Sequence, residues 1–375
     1  MAVRGRRYHR ALVSRPATPV PHPRLPVAAL CLLALLAAAL CMPSGAQAQA
    51  QAPTGFFGVN ASGYESGDFE RMAEADVGVT RNIFPFEVIR HGKDLPYNWS
   101  YTDPIVRGTA ENGIDLIPMV YGAPPWVSHD LNRTVLKGEA ARAWSDLLTT
   151  LVQRYGPGGA FWSENPTVPY RPIRVWQIWN EPNSITWWGP KPKPKDYGKV
   201  LVRSAAAIHA VDPEAQVMTA GIVAEPTNAH AILGKEFLAE LFKSRAVREA
   251  ADIVAYHPYA ATVSGVRKQL KQARSALRSR GAGSTPLWIT EIGWGTKGPR
   301  KHPLVKTTSG QIQVLHDTFE MVLSQRQRLG LGRLLWYQWR DGPYKLCKWC
   351  ETSGLLTVDN KDKPLLGTFA SIATR

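Results

Sequence analysis

From Gly55 onward, short apolar runs rich in β-branched and aromatic residues alternate with longer segments whose apolar positions recur with helical spacing. The strand candidates are GFFGVN (55–60), VTRNIFPF (79–86), IDLIPMVYG (114–122), IRVWQIWNE (173–181), AQVMTAGIV (215–223), ADIVAYHPY (251–259), PLWITEIGW (286–294) and RLLWYQWRD (333–341), eight in all. Between them lie helical candidates such as KGEAARAWSDLLTTLVQRYG, KDYGKVLVRSAAAIHAVD and SGVRKQLKQARSALRSRG, several ending in the Gly or Asp-Pro that helix C-termini favour. Eight strand-then-helix units predict an α/β fold, a single (β/α)8 TIM barrel over residues 51–375. A doubly wound open sheet is the alternative, and the absence of a Gly-rich phosphate loop after the first run counts against it. No internal repeat or linker interrupts this region. The one biased stretch, GPKPKPKDYG (189–198), predicts an extended basic loop leaving the fourth strand.

Residues 1–50 follow a different pattern. Six arginines (Arg4, Arg6, Arg7, Arg10, Arg15, Arg24) and no acid precede the 15-residue apolar run Val27–Cys41. That run is short of the roughly 20 residues a membrane-spanning helix needs. It is followed by MPSGAQAQAQA, with A-x-A sites ending at Ala48, Ala50 or Ala52. The pattern predicts a cleaved secretory signal with an extended basic n-region, a secreted or extracytoplasmic mature chain, and no stable membrane insertion once cleavage occurs. An uncleaved N-terminal anchor is the competing reading. Leu40 before Cys41, where a small residue is expected, argues against a lipoprotein.

Composition changes this picture little. With 44% hydrophobic and 20% charged residues the chain is globular rather than disordered or fibrous. Its formal charge of +15 drops to +9 without the six N-terminal arginines. The remaining lysines and arginines are dispersed, and no base-reading helix or zinc motif accompanies them, so a nucleic-acid role has little support. Cys347 and Cys350 stand alone in CKWC. One such pair falls short of the four ligands of a structural zinc site, and in an exported protein it reads as a local disulfide.

In a barrel, active sites gather at the C-terminal ends of the strands. The fourth run ends in Asn180 and Glu181, and the seventh in Glu291, so the two glutamates face each other across an eight-stranded ring. Two carboxyls about 5–5.5 Å apart are what a retaining glycosidase requires: an acid for the leaving oxygen and a nucleophile for the anomeric carbon. Arg81 and Tyr259 are candidates to depress the nucleophile's pKa, and Asn180 to hydrogen-bond a sugar hydroxyl. His257 ends the sixth run. Trp126, Trp187, Trp188, Trp294, Trp336 and Trp339 are candidate stacking surfaces for sugar rings. Taken singly, a strand-end glutamate is more often a solvated terminus, and a strand tryptophan more often core; the joint arrangement carries the functional reading.

IWNEPN, followed 110 residues later by ITEIGW, resembles clan A of the glycoside hydrolases, retaining (β/α)8 enzymes. NWSYTDPIVRGTAENGIDLIPMVYGAPPWV and DIVAYHPY are similar to the branch containing β-xylosidases, α-L-iduronidases and a bacterial exopolysaccharide endoglycosidase. The resemblance extends from about Gly55 to Ala373. It implies Glu181 as acid/base, Glu291 as nucleophile, Asn180 as a ligand of the 2-hydroxyl, Arg81 and Tyr259 as supports of the nucleophile, and His257 as a pocket residue. The expected partner is a β-linked poly- or oligosaccharide, with no cofactor and no metal; the aromatic Trp187-Trp188 loop and the segment Tyr344–Trp349 read as subsite walls of a cleft that cleaves internally in the chain. A transglycosylase remodelling exopolysaccharide and a non-catalytic carbohydrate-binding barrel are the competing readings. The lysines of 191–195 suggest an acidic or phosphate-bearing glycan.

Overall fold

The computed structural model describes residues 51–127, 137–344 and 347–374; the expected signal segment lies outside them. Nine parallel strands form one sheet: β1 (Phe57–Asn60), β2 (Val79–Pro85), β3 (Asp115–Tyr121), β4 (Val175–Ile178), β5 (Gln216–Met218), β6 (Ile222–Val223), β7 (Val254–His257), β8 (Leu287–Ile292) and β9 (Leu331–Tyr337). Their spatial order is β5-β4-β3-β2-β1-β9-β8-β7-β6. The two ends of this order are successive pieces of one chain segment. Met218 bridges Ile253 before β7, and Gly221 bridges Asn180 after β4, so β5 and β6 together make one stave and close the ring. The fold is the expected (β/α)8 barrel.

The fifth run was expected as one unbroken strand. It breaks where side chains take the place of backbone groups in the ladder: the Ala220 N–H donates to the Tyr197 hydroxyl at 2.6 Å, and the Ala255 N–H of β7 donates to the Thr219 hydroxyl at 3.0 Å. Helices follow the strands on the outside, among them Gly138–Tyr155, Pro194–His209, Val263–Arg278 and Thr308–Leu329. Two have the side-chain caps their sequences supply, Thr262 accepting from Gly265 N and Thr307 from Gly310 N. Among the described residues no helix is long and apolar enough to cross a membrane.

Inside the ring, the two-residue period of the strands separates a plug from a mouth. Val79, Ile117, Met218, Ala255, Trp288 and Leu335 form a buried apolar cluster with Ile253, and Val175 packs against it. Two residues further along, the same inward positions carry Arg81, Met119, Gln177, His257 and Tyr337. Alternation thus gives one end of the barrel interior an apolar filling and the C-terminal end its polar side chains.

Candidate active site

Glu181 and Asn180 follow β4, where the chain turns sharply. Trp179 and Glu181 have φ of 74° and 38°, a region that costs a non-glycine residue of order 1–3 kcal/mol. The surroundings enforce it: Trp179 N donates to Val120 O at 2.9 Å, Glu181 N to Gly221 O at 3.0 Å, and the Trp179 indole to Trp187 O at 2.8 Å. Across the ring, β8 has register irregularities on both sides of Ile289, the second extending to Ile292. Bulged strands re-aim side chains, and here Thr290 and Glu291 both reach the polar network. The Thr290 hydroxyl lies 3.0 Å from His257 Nε2, and Glu291 Oε1 lies 2.6 Å from Arg81 Nη1.

His257 stands between the two glutamates. Its Nδ1 is 2.9 Å from Glu181 Oε1 and 3.5 Å from Glu291 Oε2, and one oxygen of each carboxylate lies within 4.8 Å of the other and of this ring. Such a trio is also a shape a cation accepts, but the positive charge at Glu291 comes from the protein's own Arg81. His257 is fully buried, and space for it comes from Gly221, where a Cβ would stand 2.0 Å from Nε2.

Arg81 organises the rest. Its guanidinium donates to Glu291 Oε1, Asn60 Oδ1 at 2.9 Å, Gln177 Oε1 and Asn180 Oδ1 at 2.9 Å. Asn180 therefore has its oxygen engaged and its amide nitrogen left to donate. Tyr259 donates to Glu291 Oε2 at 2.9 Å. Burial alone raises the Glu291 pKa, but the charges of His257 and Arg81 and the hydrogen bonds from Tyr259 and Arg81 outweigh it, and the carboxyl is held below its ordinary value. Burial, with the Glu291 charge added, pushes Tyr259 well above the usual tyrosine value, so it stays a donor.

The glutamates open into a cavity of about 870 Å³, in the upper part of the range for small-molecule sites. Arg81, Asn180, Tyr259 and Trp187 line it, and His257 reaches it through Glu181. Four tryptophans do not. Trp188, Trp294, Trp336 and Trp339 are 2%, 0%, 0% and 1% exposed, and have no face to offer a sugar. Their indoles serve the scaffold: Trp336 donates to Ser353 O, Trp294 to Ala260 O, and Trp339 to the buried Asp68. Trp126 is half-buried, donates to Arg90 O at 3.3 Å and is absent from the lining. The lysines of 191–195 also lie away from it, running into the helix Pro194–His209.

Sequence reasoning missed Asn60, Gln177, Thr290 and Tyr337. Asn60 could have been found as the polar end of the first run, and Gln177 by its inward register. Trp349, in the aromatic stretch read from the sequence as a subsite wall, stands with its ring 5.3 Å from that of Tyr259. That stretch is closed by a Cys347–Cys350 disulfide, and Tyr344, Cys347, Trp349 and Cys350 together wall the cavity. Burial, with the nearby Glu291 charge, pushes Tyr344 up to about 12.

No family model matches the chain. It is 29% identical over 157 residues to a β-xylosidase of Geobacillus stearothermophilus, a stretch covering 38% of this chain and 27% of the length of that relative. Among solved structures it is similar to a family 39 glycoside hydrolase from the gut symbiont Bacteroides cellulosilyticus WH2, at 18% identity and a TM-score of 0.65, covering 85% of this chain and 63% of that one. A monomeric β-xylosidase from Caulobacter crescentus CB15 aligns at 19% identity and a TM-score of 0.57, over 84% of this chain and 67% of the other. At these identities the structural likeness shows the fold, and it is the barrel that the resemblance implied.

Proposed function

We propose that this chain is a retaining glycoside hydrolase that cleaves a β-linked poly- or oligosaccharide by double displacement. The observation that carries the reading is one buried carboxylate, Glu291, held by Arg81 and Tyr259, with a second, Glu181, within 4.8 Å. In this reading Glu291 attacks the anomeric carbon as Glu181 gives its proton to the departing glycosidic oxygen. Glu181 then takes a proton from the water that breaks the glycosyl-enzyme bond. An ionised nucleophile suits the depressed pKa of Glu291. The Asn180 amide nitrogen would bond the sugar's 2-hydroxyl, a bond that strengthens in the transition state.

Attack inside a polymer is part of the proposal. The cavity lining extends to both sides of the glutamates, from Ser62, Ile83 and Tyr101 to Thr186 and Trp187, and on to His302. Secretion also belongs to it, resting on the basic and apolar pattern of residues 1–50.

The test is product analysis by mass spectrometry on neutral and acidic β-linked polysaccharides. Products from wild type and none from Glu291→Gln are expected, with lengths that separate internal from terminal cleavage. Equal turnover by Glu291→Gln sinks the assignment.

A further inference from the structure

We infer that the cavity contains a subsite for an anionic group on the saccharide, a carboxylate or phosphate, built by Lys268, Gln269 and the first turn of the helix Val263–Arg278. The inference deepens the glycosidase reading and rests on it.

Gln269 is the first observation. It lines the cavity, is 3% exposed, and its Nε2 donates to Tyr259 O at 3.1 Å. The carbonyl partner fixes which end of the amide is nitrogen, and the buried Oε1 has no partner. A buried acceptor left unpaired costs stability until something donates to it. Beside this cavity the fitting donor is a sugar hydroxyl.

Lys268 is the second, independent one. It is exposed on the cavity rim, and among the described residues it has no ion-pair partner. It belongs to a 16-residue helix whose first turn, with Thr262 and Gly265, also lines the cavity and presents the positive end of the helix dipole. That helix has Arg267, Lys268, Lys271, Arg274 and Arg278 and no acid. The neighbouring loop reinforces the sign. Residues 296–306 contain Lys297, Arg300, Lys301 and Lys306 without an acid, His302 lines the cavity, and Lys306 Nζ donates to Ala261 O at 2.9 Å. Among the described residues, Glu225 after β6 is the other carboxylate of the wall besides the two central glutamates. An anionic substituent therefore seats against the Lys268 side, with a ring hydroxyl turned to Gln269.

The experiment measures equilibrium binding by the full chain in a Glu291→Gln background, so that no ligand is consumed. The probes are oligomers of β-linked glucuronic acid, the same oligomers after carboxyl reduction to glucose, and phosphate-monoester oligosaccharides. The expected result is about threefold to tenfold tighter binding of an acidic probe than of the reduced one at low salt, a preference that fades as salt screens it. Lys268→Met should erase the preference, while Lys199→Ala, an equal loss of charge on the outer helix Pro194–His209, should keep it. Preference for glucuronate or for phosphate alone would identify which anion the subsite takes. Equal binding of acidic and reduced oligomers, no binding of any, or a preference that survives Lys268→Met overturns the inference. The glycosidase reading is decided separately, by the product comparison above.

Discussion

The Tyr259 hydroxyl donates to Glu291 Oε2 at 2.9 Å while Arg81 holds Oε1 at 2.6 Å, so the two oxygens of one buried carboxyl are fixed from two different parts of the ring. Glu291 is only 8% exposed. Burial by itself would favour its neutral form. The donors and neighbouring charges reverse that, and each is removable by substitution.

Tyr259→Phe deletes one donor and keeps the ring that packs against Trp349. The Glu291 pKa then rises, because a group that lowered it is gone. The acid limb of the kcat/KM profile should move to higher pH, with a fall of about tenfold to a hundredfold in kcat/KM. Stability should fall by about 1.5–3 kcal/mol, the worth of a hydrogen bond to a charged group. An acid limb that stays in place would show that Glu291 is not the group it reports.

Stability should carry the same signature. A carboxyl whose folded pKa lies below its unfolded value of 4.5 contributes stability fully present above that value, and lost as pH falls through the lower folded one. The gap between the melting temperatures of wild type and Glu291→Gln should narrow progressively as the pH falls below about 4.5, as the wild-type carboxyl takes up its proton. A constant gap over that range would contradict the sign of the shift.

Trp187 and Trp336 separate binding from scaffolding. Trp187 is half-buried and lines the cavity, so Trp187→Ala should raise KM severalfold with little change in melting temperature. Trp336 is fully buried, and Trp336→Ala should cost about 3–5 kcal/mol through the cavity it leaves. A selective KM effect from Trp336→Ala, with stability intact, would restore it as a binding residue.

Gly221→Ala tests the seat of His257. The added methyl would stand 2.0 Å from Nε2, so the ring must shift from Thr290 and from the carboxylate pair. The expected outcome is a lower kcat and an altered pH profile. An unchanged pH profile would mean that the ring position does not matter to the reaction.

The strand runs, the helical spacing between them and the strand-end positions of Glu181 and Glu291 were legible because each depends on neighbours within one element. Period-two alternation, local apolar content and turn residues are properties of a short stretch of chain. They determined the barrel and the two carboxylates. Other features depend on chain segments brought together from afar. The same alternation that marks Trp336 as a strand residue does not say which of its two neighbouring layers it faces. Trp294, Trp336 and Trp339 proved to be core. The break between β5 and β6 depended on Tyr197, a residue of the preceding helix. The grip on Glu291 joins Arg81 and Tyr259, 178 positions apart in sequence. Local order was written in local pattern, but the charge around Glu291 was decided only when the ring closed and brought its partners within hydrogen-bonding reach.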